Sequence, residues 1–216
     1  MTEADYELVI GDKRLSSWSL RPWLALKVLA IPFRERLIRL RQPGTVGDIA
    51  RHSPSGKIPL LKTGGLVVWD SLAIIEFAAE DNPDKAVWPG DKAKRAVARA
   101  ISAEMHSGFY ALRNTMPMDF LNIHPFPAGE TAAEADIRRI VSLWGDCRKR
   151  HGDGGDFLFG PFSAADAMFA PVATRFRSYS VDLARFGDDG TAARYAGTVL
   201  DLPEMAEWGE GAALEV

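Results

Sequence analysis

One stretch of 25 residues, Ser53 to Phe77, carries the groups best suited to bind a small ligand. An Ile58–Pro59 bond precedes its first β-forming residues, and Asp70 and Ser71 precede an apolar helix pattern. An X-Pro bond adopts the cis form at low cost, and a cis bond here would leave the N–H and C=O of Ile58 to pair with an extended peptide. The N–H groups at the helix start favour a carboxylate. The stretch therefore predicts a receptor for a small, anionic, peptide-like ligand, with an ordinary hairpin and helix as the alternative.

A second polar group precedes an amphipathic helix. Ser16, Ser17 and Ser19 fall in the run S-S-W-S, and the apolar residues between Leu20 and Leu29 recur at three- and four-residue spacing. Pro22 is tolerated in the first turn of a helix, so we expect the helix to begin near Ser19, with Ser19 as its cap. The serines then lie in a strand-to-helix loop at a helix N-terminus.

Composition limits the class of protein. Of the 216 residues, 47% are hydrophobic, enough for a large core, and the net charge of −3 lacks the basic footprint of nucleic-acid binding. The single cysteine, Cys147, excludes an intramolecular disulfide, and the four histidines lack metal-ligand spacing. No signal-peptide core or run of roughly 20 apolar residues is present. We therefore expect a cytoplasmic protein that binds no metal, nucleic acid or membrane, with Cys147 as a buried small hydrophobic residue.

The elements around the polar groups fall into two regions. Residues 1–82 follow the order β-α-β-(loop)-β-β-α, in which the first two strands are parallel because they need a crossover connection, and the last two form a hairpin. The strands are expected at Glu7–Ile10, Leu37–Leu40, Leu60–Leu61 and Leu66–Trp69. Residues 83–92 are turn and linker material.

Residues 93–216 show only helical periodicity. One helix is expected over Lys94–Leu112 and another around Ile137–Cys147, separated by a proline-containing loop over Asn114–Gly129. Ser163 and Asp166 then form a capping box before a very apolar helix. We interpret this pair as folding residues, and we expect the helix to be buried in the bundle and bent at its internal proline, Pro171.

The combination resembles the glutathione S-transferase superfamily. The run F-L-F-G-P-F-S-A-A-D, Phe157 to Asp166, is similar to that family's C-terminal signature, and S-S-W-S-L-R, Ser16 to Arg21, resembles the S-S-x-S-x-R loop of its zeta-like branch, which is related to maleylacetoacetate isomerases. The resemblance covers nearly the whole chain. It implies an α/β plus all-α fold: a thioredoxin-like βαβ-ββα domain over 1–82, a linker over 83–92 and an α-helical bundle over 93–216.

The resemblance implies that the N-terminal domain binds glutathione. Ile58, before the family's cis-proline at Pro59, would pair by its backbone with the cysteinyl unit. Asp70 and Ser71 would hold the γ-glutamyl ammonium and carboxylate, because an acid and a helix N-terminus match that zwitterion. The further expected glutathione contacts are Trp18 and Lys57.

The resemblance also implies a serine hydroxyl that donates to the glutathione sulfur. Such a bond favours the thiolate, which is the nucleophile. Alignment through Arg21 to the zeta-like branch gives Ser16, whereas related branches give Ser17; both remain candidates, and the zeta-like alignment favours Ser16. The alternative is that both serines only cap the helix. For Arg21 itself we expect a structural ion pair.

The acceptor pocket implied by the resemblance lies on the first bundle helix. Its candidates are His106, Tyr110, Arg113 and Asn114. Polar residues on that face need a reason, which favours the last three as pocket residues. His106 is either a proton carrier or a structural histidine.

Two residues depart from the zeta-like pattern. Trp18 stands where cysteine is usual, and Lys57 stands where glutamine is usual. A bulky indole is expected to reshape the pocket, which counts against isomerisation, and the absence of cysteine beside Ser16 counts against thiol transfer.

The resemblance thus implies a cytoplasmic, homodimeric glutathione S-transferase of the detoxification type. It would activate glutathione for attack on a small electrophile and use no metal. The alternatives are a glutathione-dependent cis–trans isomerase, similar to maleylacetoacetate isomerase, and a non-catalytic binding module of the same fold.

Overall fold

A computed structural model describes residues 6–127 and 132–215. Its N-terminal part contains a four-stranded sheet with the strand order β2-β1-β3-β4. The strands are β1 (Glu7–Gly11), β2 (Arg34–Ile38), β3 (Leu60–Thr63) and β4 (Leu66–Val68). β1 pairs parallel with β2 and antiparallel with β3, and β3 pairs antiparallel with β4. The predicted crossover and hairpin are therefore confirmed.

Three helices accompany this sheet: α1 (Ser17–Val28), α2 (Thr45–Ala50) and α3 (Ser71–Asp81). α2 lies inside the segment predicted as a loop; at six residues it is too short to show a periodic pattern. β2 begins earlier than expected, with Glu7 opposite Arg34. Its charged residues are tolerated because β2 is an edge strand whose first three residues are exposed.

The expected cap of α1 is wrong. Ser16, not Ser19, is the N-cap, and its Oγ accepts the N–H of Ser19 at 3.3 Å. Ser19 Oγ instead accepts the N–H of Gly11 at 3.0 Å, which ties α1 to the end of β1. Pro22 consequently lies in the second turn, where it removes one intrahelical hydrogen bond. The helix start was predicted too late because Pro22 was expected in the first turn, whereas α1 tolerates the loss of one hydrogen bond in its second turn.

The C-terminal part is helical. Its elements are α4 (Lys92–Ser107), α5 (Tyr110–Thr115), α6 (Ala132–His151), α7 (Ala164–Ser178), a 3-10 turn (Leu183–Phe186), α8 (Thr191–Leu200) and α9 (Pro203–Leu214). The prediction of a single helix over 94–112 is wrong, because the helix is interrupted at Gly108 and Phe109. Phe109 has a φ of 55°, and a Cβ on Gly108 would lie 2.7 Å from the carbonyl oxygen of Glu104. Asn114, expected in a loop, lies inside α5, and the end of that predicted loop falls outside the described residues.

α7 lies at the centre of the bundle, as predicted, and is buried along almost its whole length. The capping box is present, and the buried Asp166 carboxylate accepts hydrogen bonds from the Ser163 N–H (2.8 Å), the Ser163 hydroxyl (3.0 Å), the Leu158 N–H (3.0 Å) and the Tyr195 hydroxyl (3.0 Å). This network supports the folding role assigned to the pair.

Two further predictions concern buried and membrane-spanning residues. Cys147 is buried, and burial raises the pKa of its thiol to about 12, so it behaves as a small hydrophobic residue. In the described ranges, no helix combines the length and the apolar character needed to cross a membrane.

α1 packs against α7 and α3 packs against α4, which brings the sheet region and the bundle together at one interface.

Candidate active site

A cavity of about 540 Å³ opens at this interface. Seven predicted site residues line it: Trp18, Lys57, Ile58, Pro59, Asp70, Ser71 and His106. Two more lining residues, Ser55 and Trp69, were not predicted as site residues. Both lie in the 53–77 stretch, so their position in that stretch could have predicted them, whereas their residue types could not.

The backbone at Ile58 is arranged as predicted. The Ile58–Pro59 bond is cis, and β3 begins one residue later. Within the described part of the chain, no hydrogen bond involves the N–H or C=O of Ile58. Ser53 fixes the preceding turn, because its Oγ donates to the carbonyl of Lys57 at 2.6 Å and accepts the Lys57 N–H at 3.1 Å. The cavity therefore has an unpaired donor and acceptor on one wall.

Asp70 and Ser71 begin α3. Asp70 is the N-cap, and its Oδ1 accepts the N–H groups of Leu72 (3.1 Å) and Ala73 (3.4 Å). Its Oδ2 lies 2.9 Å from Nε2 of His106 on α4. The Ser71 hydroxyl is fully buried and has no partner among the described residues. A buried, unpaired hydroxyl costs on the order of 1–3 kcal/mol, which a ligand that pairs with it would recover.

Trp18 lies between two guanidinium groups. Cζ of Arg21 lies 4.3 Å from the centre of its ring, and Cζ of Arg113 lies 5.1 Å from it. The edge of the His106 ring contacts the indole at 5.2 Å between centroids. The indole of this cavity-lining residue therefore contacts Arg21 of α1 and Arg113 of α5, and Arg113 itself is not among the described residues that line the cavity.

The ion pair expected for Arg21 is wrong. Its side chain is 1% exposed, and Nε and Nη1 have no acceptor in the part of the chain that the structure describes. Burial first, and then the charges of Arg175 and Arg113, lower the pKa of Arg21 to about 9. That value is above neutral pH, so a buried positive charge remains without a carboxylate partner.

The two candidate serines are both buried but differ in their hydrogen bonds. The Ser16 hydroxyl donates to Ser19 Oγ at 2.7 Å, so its proton is used in the cap. Ser17 Oγ accepts from Nη2 of Arg175 at 3.4 Å, and its own proton has no acceptor among the described residues. Neither serine lines the cavity, although Trp18, the next residue, does.

The other predicted acceptor residues, Tyr110, Arg113 and Asn114, are not among the described residues that line the cavity. Tyr110 is 72% exposed, Asn114 is exposed, and neither lines it. Lys57 lines it with an exposed side chain.

A larger groove, of about 1010 Å³, runs between α6 and α8. None of the predicted site residues is among the described residues that line it. The described ranges also contain no group of three or more histidine, cysteine, aspartate or glutamate residues placed to hold a metal ion.

Comparison with known proteins identifies the family. Residues 15–81 match the family described as "Glutathione S-transferase, N-terminal domain", and residues 107–208 match "Glutathione S-transferase, C-terminal domain". The chain is 35% identical over 175 residues to the maleylacetoacetate isomerase of Mus musculus, covering 79% of this chain and 77% of that protein. The chain belongs to the glutathione S-transferase family.

Other relatives of this glutathione S-transferase support the same assignment. It is 30% identical over 216 residues to the maleylacetoacetate isomerase of Dictyostelium discoideum, covering 96% of this chain and 94% of that protein. A glutathione transferase homologue from Burkholderia GL BGR1, with bound glutathione, superposes with a TM-score of 0.71 at 21% identity, covering 96% and 98% of the two chains. At that identity the superposition shows the fold alone. The predicted family, fold and enzyme class are thus confirmed.

Proposed function

We propose that this glutathione S-transferase binds glutathione in the cavity beside Ile58 and uses its thiolate on a small electrophile. The observation that carries the proposal is the convergence of three features on one cavity: the unpaired Ile58 backbone, the Asp70 carboxylate and the unpartnered Ser71 hydroxyl. Glutathione offers a peptide edge, an ammonium and a carboxylate, which fit these groups and the N-terminus of α3.

The chemistry that follows is nucleophilic attack by sulfur. The thiol loses its proton to solvent on binding, and the sulfur lone pair forms a bond to an electrophilic carbon. A leaving group then departs with its electron pair, or a neighbouring carbon takes up a proton. The protein's contribution is to stabilise the thiolate and position it.

Ser17 is the better candidate for the thiol contact. The Ser16 proton is used by Ser19, whereas the Ser17 proton has no acceptor in the described structure. The preference from the zeta-like alignment is therefore reversed in this proposal, and Ser16 is assigned the helix cap.

A specific observation also favours the isomerase alternative. Arg21, Arg113 and Arg175 lie around Trp18 and Ser17, and none of the three forms an ion pair with a described carboxylate. Such a cationic wall suits an acidic acceptor, and the relatives named above include maleylacetoacetate isomerases. In that reaction the thiolate adds to one carbon of a double bond, the resulting single bond rotates, and elimination restores the double bond and releases the thiolate.

Calorimetry with glutathione and two assays test these proposals. Binding followed by release of halide from an aryl halide supports the transferase, and cis–trans conversion of maleylacetoacetate without loss of glutathione supports the isomerase. If glutathione does not bind, both are wrong and the chain is a binding module. Binding without either turnover would leave a glutathione-binding protein and contradict the enzymatic proposals.

The proposal includes a homodimer that acts in the cytoplasm, with detoxification as its role. Family membership supports the dimer. Sedimentation equilibrium is expected to give twice the chain mass, and a monomeric mass at micromolar concentration would contradict it. His106 and Arg113 are proposed for the acceptor side of the cavity, with Tyr110 and Asn114 at its outer margin.

A further inference from the structure

Arg175 on α7 is held in one orientation. Its Nε donates to the carbonyl of Met116 at 2.9 Å, and its Nη1 donates to the carbonyl of Pro171 at 3.0 Å. These two bonds fix the plane of the guanidinium, because its donors form a rigid fork. The remaining nitrogen, Nη2, is directed at Ser17 Oγ, 3.4 Å away, across the interface between α1 and α7.

The charge on Arg175 is buried and lacks an acidic partner. The side chain is 3% exposed, and the described part of the chain supplies only carbonyl and hydroxyl oxygens to it. Burial first, and then the nearby charge of Arg113, lower the pKa of Arg175 to about 10, so it remains charged at neutral pH. A buried charge without a counter-ion is costly, and an anion bound nearby would offset that cost.

Ser17 connects this charge to the proposed site. Its oxygen accepts from the guanidinium with one lone pair, and its hydroxyl proton, which has no acceptor among the described residues, is available to a ligand that can accept a hydrogen bond. A hydroxyl that accepts from a cation is polarised and becomes a stronger donor, because hydrogen bonds in a chain reinforce one another.

We propose that Arg175 is a positioning residue that orients and polarises Ser17 for donation to the glutathione sulfur. The inference rests on the proposed glutathione site. Arg175 acts through Ser17: its Nη2 donates a hydrogen bond to the serine oxygen, and the serine hydroxyl donates its proton to the thiolate in a second hydrogen bond. The pair joins the two structural regions, so the thiolate site is complete only when α7 packs against α1.

A double-mutant cycle tests the proposal. The bound thiol is titrated by the ultraviolet absorbance of its thiolate in the wild type, Arg175→Met, Ser17→Ala and the double variant. We expect each single variant to raise the pKa of bound glutathione by about one unit, and the double variant to raise it no further, because the two residues act in series. Additive shifts would overturn the proposal, since they would mean that Arg175 acts on the sulfur independently of Ser17.

Arg177→Met is the matched control. Arg177 is two residues away on the same helix, donates to the carbonyl of Phe120 and packs over its ring at 4.5 Å, without contact to Ser17. We expect the bound thiol pKa to be unchanged in this variant. An equal shift in Arg177→Met would contradict the proposal, because it would reveal a general effect of removing positive charge from α7.

If Arg175→Met does not fold, Arg175→Lys is used in its place, because it keeps the positive charge but loses the fork of guanidinium donors. We expect this variant to raise the pKa of bound glutathione by a smaller amount. A Ser17→Ala variant with an unchanged thiol pKa overturns the proposal whatever happens at Arg175. If wild-type protein gives no calorimetric signal with glutathione, the proposed function itself fails, which is a separate outcome.

Discussion

The Ser71 hydroxyl is buried and forms no hydrogen bond with any of the described residues. If that partner is the γ-glutamyl carboxylate, Ser71→Ala should weaken glutathione binding by about tenfold, which corresponds to about 1.4 kcal/mol. The melting temperature should not fall, because the variant removes an unpaired group. Calorimetric titration with glutathione measures the effect.

Ser102 provides a matched control for this prediction. Its hydroxyl is equally buried and unpartnered among the described residues, but it is not among the residues that line the cavity. Ser102→Ala should therefore leave glutathione affinity unchanged. Equal losses of affinity in the two variants would show that Ser71 has no specific role.

Asp119 is the residue whose contribution to stability should depend most on pH. It accepts two bonds from Arg14, at 2.8 and 2.9 Å, and further bonds from Asn122 (3.0 Å) and His124 (3.1 Å). The hydrogen bond from the Arg14 guanidinium, which contributes more than the bonds from the other donors, holds the pKa of Asp119 well below its usual range. The folded state therefore binds this proton less readily than the unfolded chain. The stabilisation is full above the ordinary aspartate pKa and is lost as the pH falls.

Asp119→Asn should lower the free energy of unfolding by about 2 kcal/mol at pH 7, because it removes hydrogen bonds to a charged group. The difference from the wild type should shrink below about pH 4, where the Asp119 carboxylate of the unfolded chain begins to be protonated while that of the folded protein stays ionised. Urea denaturation at pH 7 and pH 3 measures both values. A difference that is independent of pH would contradict the charge-based explanation.

At the scale of elements, the N-terminus of α7 is the most strongly determined part of the bundle. The Asp166 carboxylate accepts four hydrogen bonds there, two of them from Ser163. Asp166→Ala should lower the free energy of unfolding by about 3 kcal/mol, because it leaves buried donors unpaired. Glutathione affinity, measured by calorimetry, should change little. A loss of affinity at an unchanged denaturation midpoint would mean that Asp166 acts on the site.

Sequence patterns predicted elements well where the signal is local. The capping box, the hairpin and the helix start at Asp70 and Ser71 depend on residues close in the chain, and all three are present. The break at Gly108 was missed, because the apolar spacing continues across it, whereas the extended backbone of Gly108 and the left-handed backbone of Phe109 interrupt the helix. The start of α1 was misplaced for a related reason: packing against the bundle allows Pro22 in the second turn.

At the scale of the whole molecule, the loop that carries the serines is held by the bundle from two sides. The indole N–H of Trp208 on α9 donates to the carbonyl of Lys13 at 2.7 Å, and Glu215 accepts the N–H of Lys13 at 2.7 Å. The N–H of Phe120 donates to the carbonyl of Arg14 at 2.9 Å. The sheet region and the bundle are therefore joined by hydrogen bonds to the backbone of this loop as well as by packed helices.

This connection predicts a single unfolding transition. Far-ultraviolet circular dichroism and tryptophan fluorescence should give the same urea midpoint. Trp208→Phe should lower both midpoints together, by about 2 kcal/mol of unfolding free energy, because it leaves the buried Lys13 carbonyl unpaired. Two separate transitions, or a shift seen by one probe alone, would show that the regions unfold independently.

The packing of the two regions explains which parts of the site could not be predicted from the sequence. Six of the predicted lining residues belong to short motifs, and the seventh, His106, was expected from its place on the first bundle helix. The contact of Ser17 with Arg175 joins residues 158 positions apart, and the contact of His106 with Asp70 joins two helices. Pairs of this kind depend on how the regions pack, so the contact between Arg175 and Ser17 and the unpaired state of Arg21 could not be predicted from the sequence.

A crystal structure of the protein with glutathione would show whether the tripeptide occupies this cavity. We expect the cysteinyl unit to pair with the N–H and C=O of Ile58, the γ-glutamyl carboxylate to contact Ser71, and the sulfur to lie within hydrogen-bond distance of Ser17 Oγ. An empty cavity at saturating glutathione, or a sulfur remote from Ser17 and in contact with Ser16, would contradict this expectation.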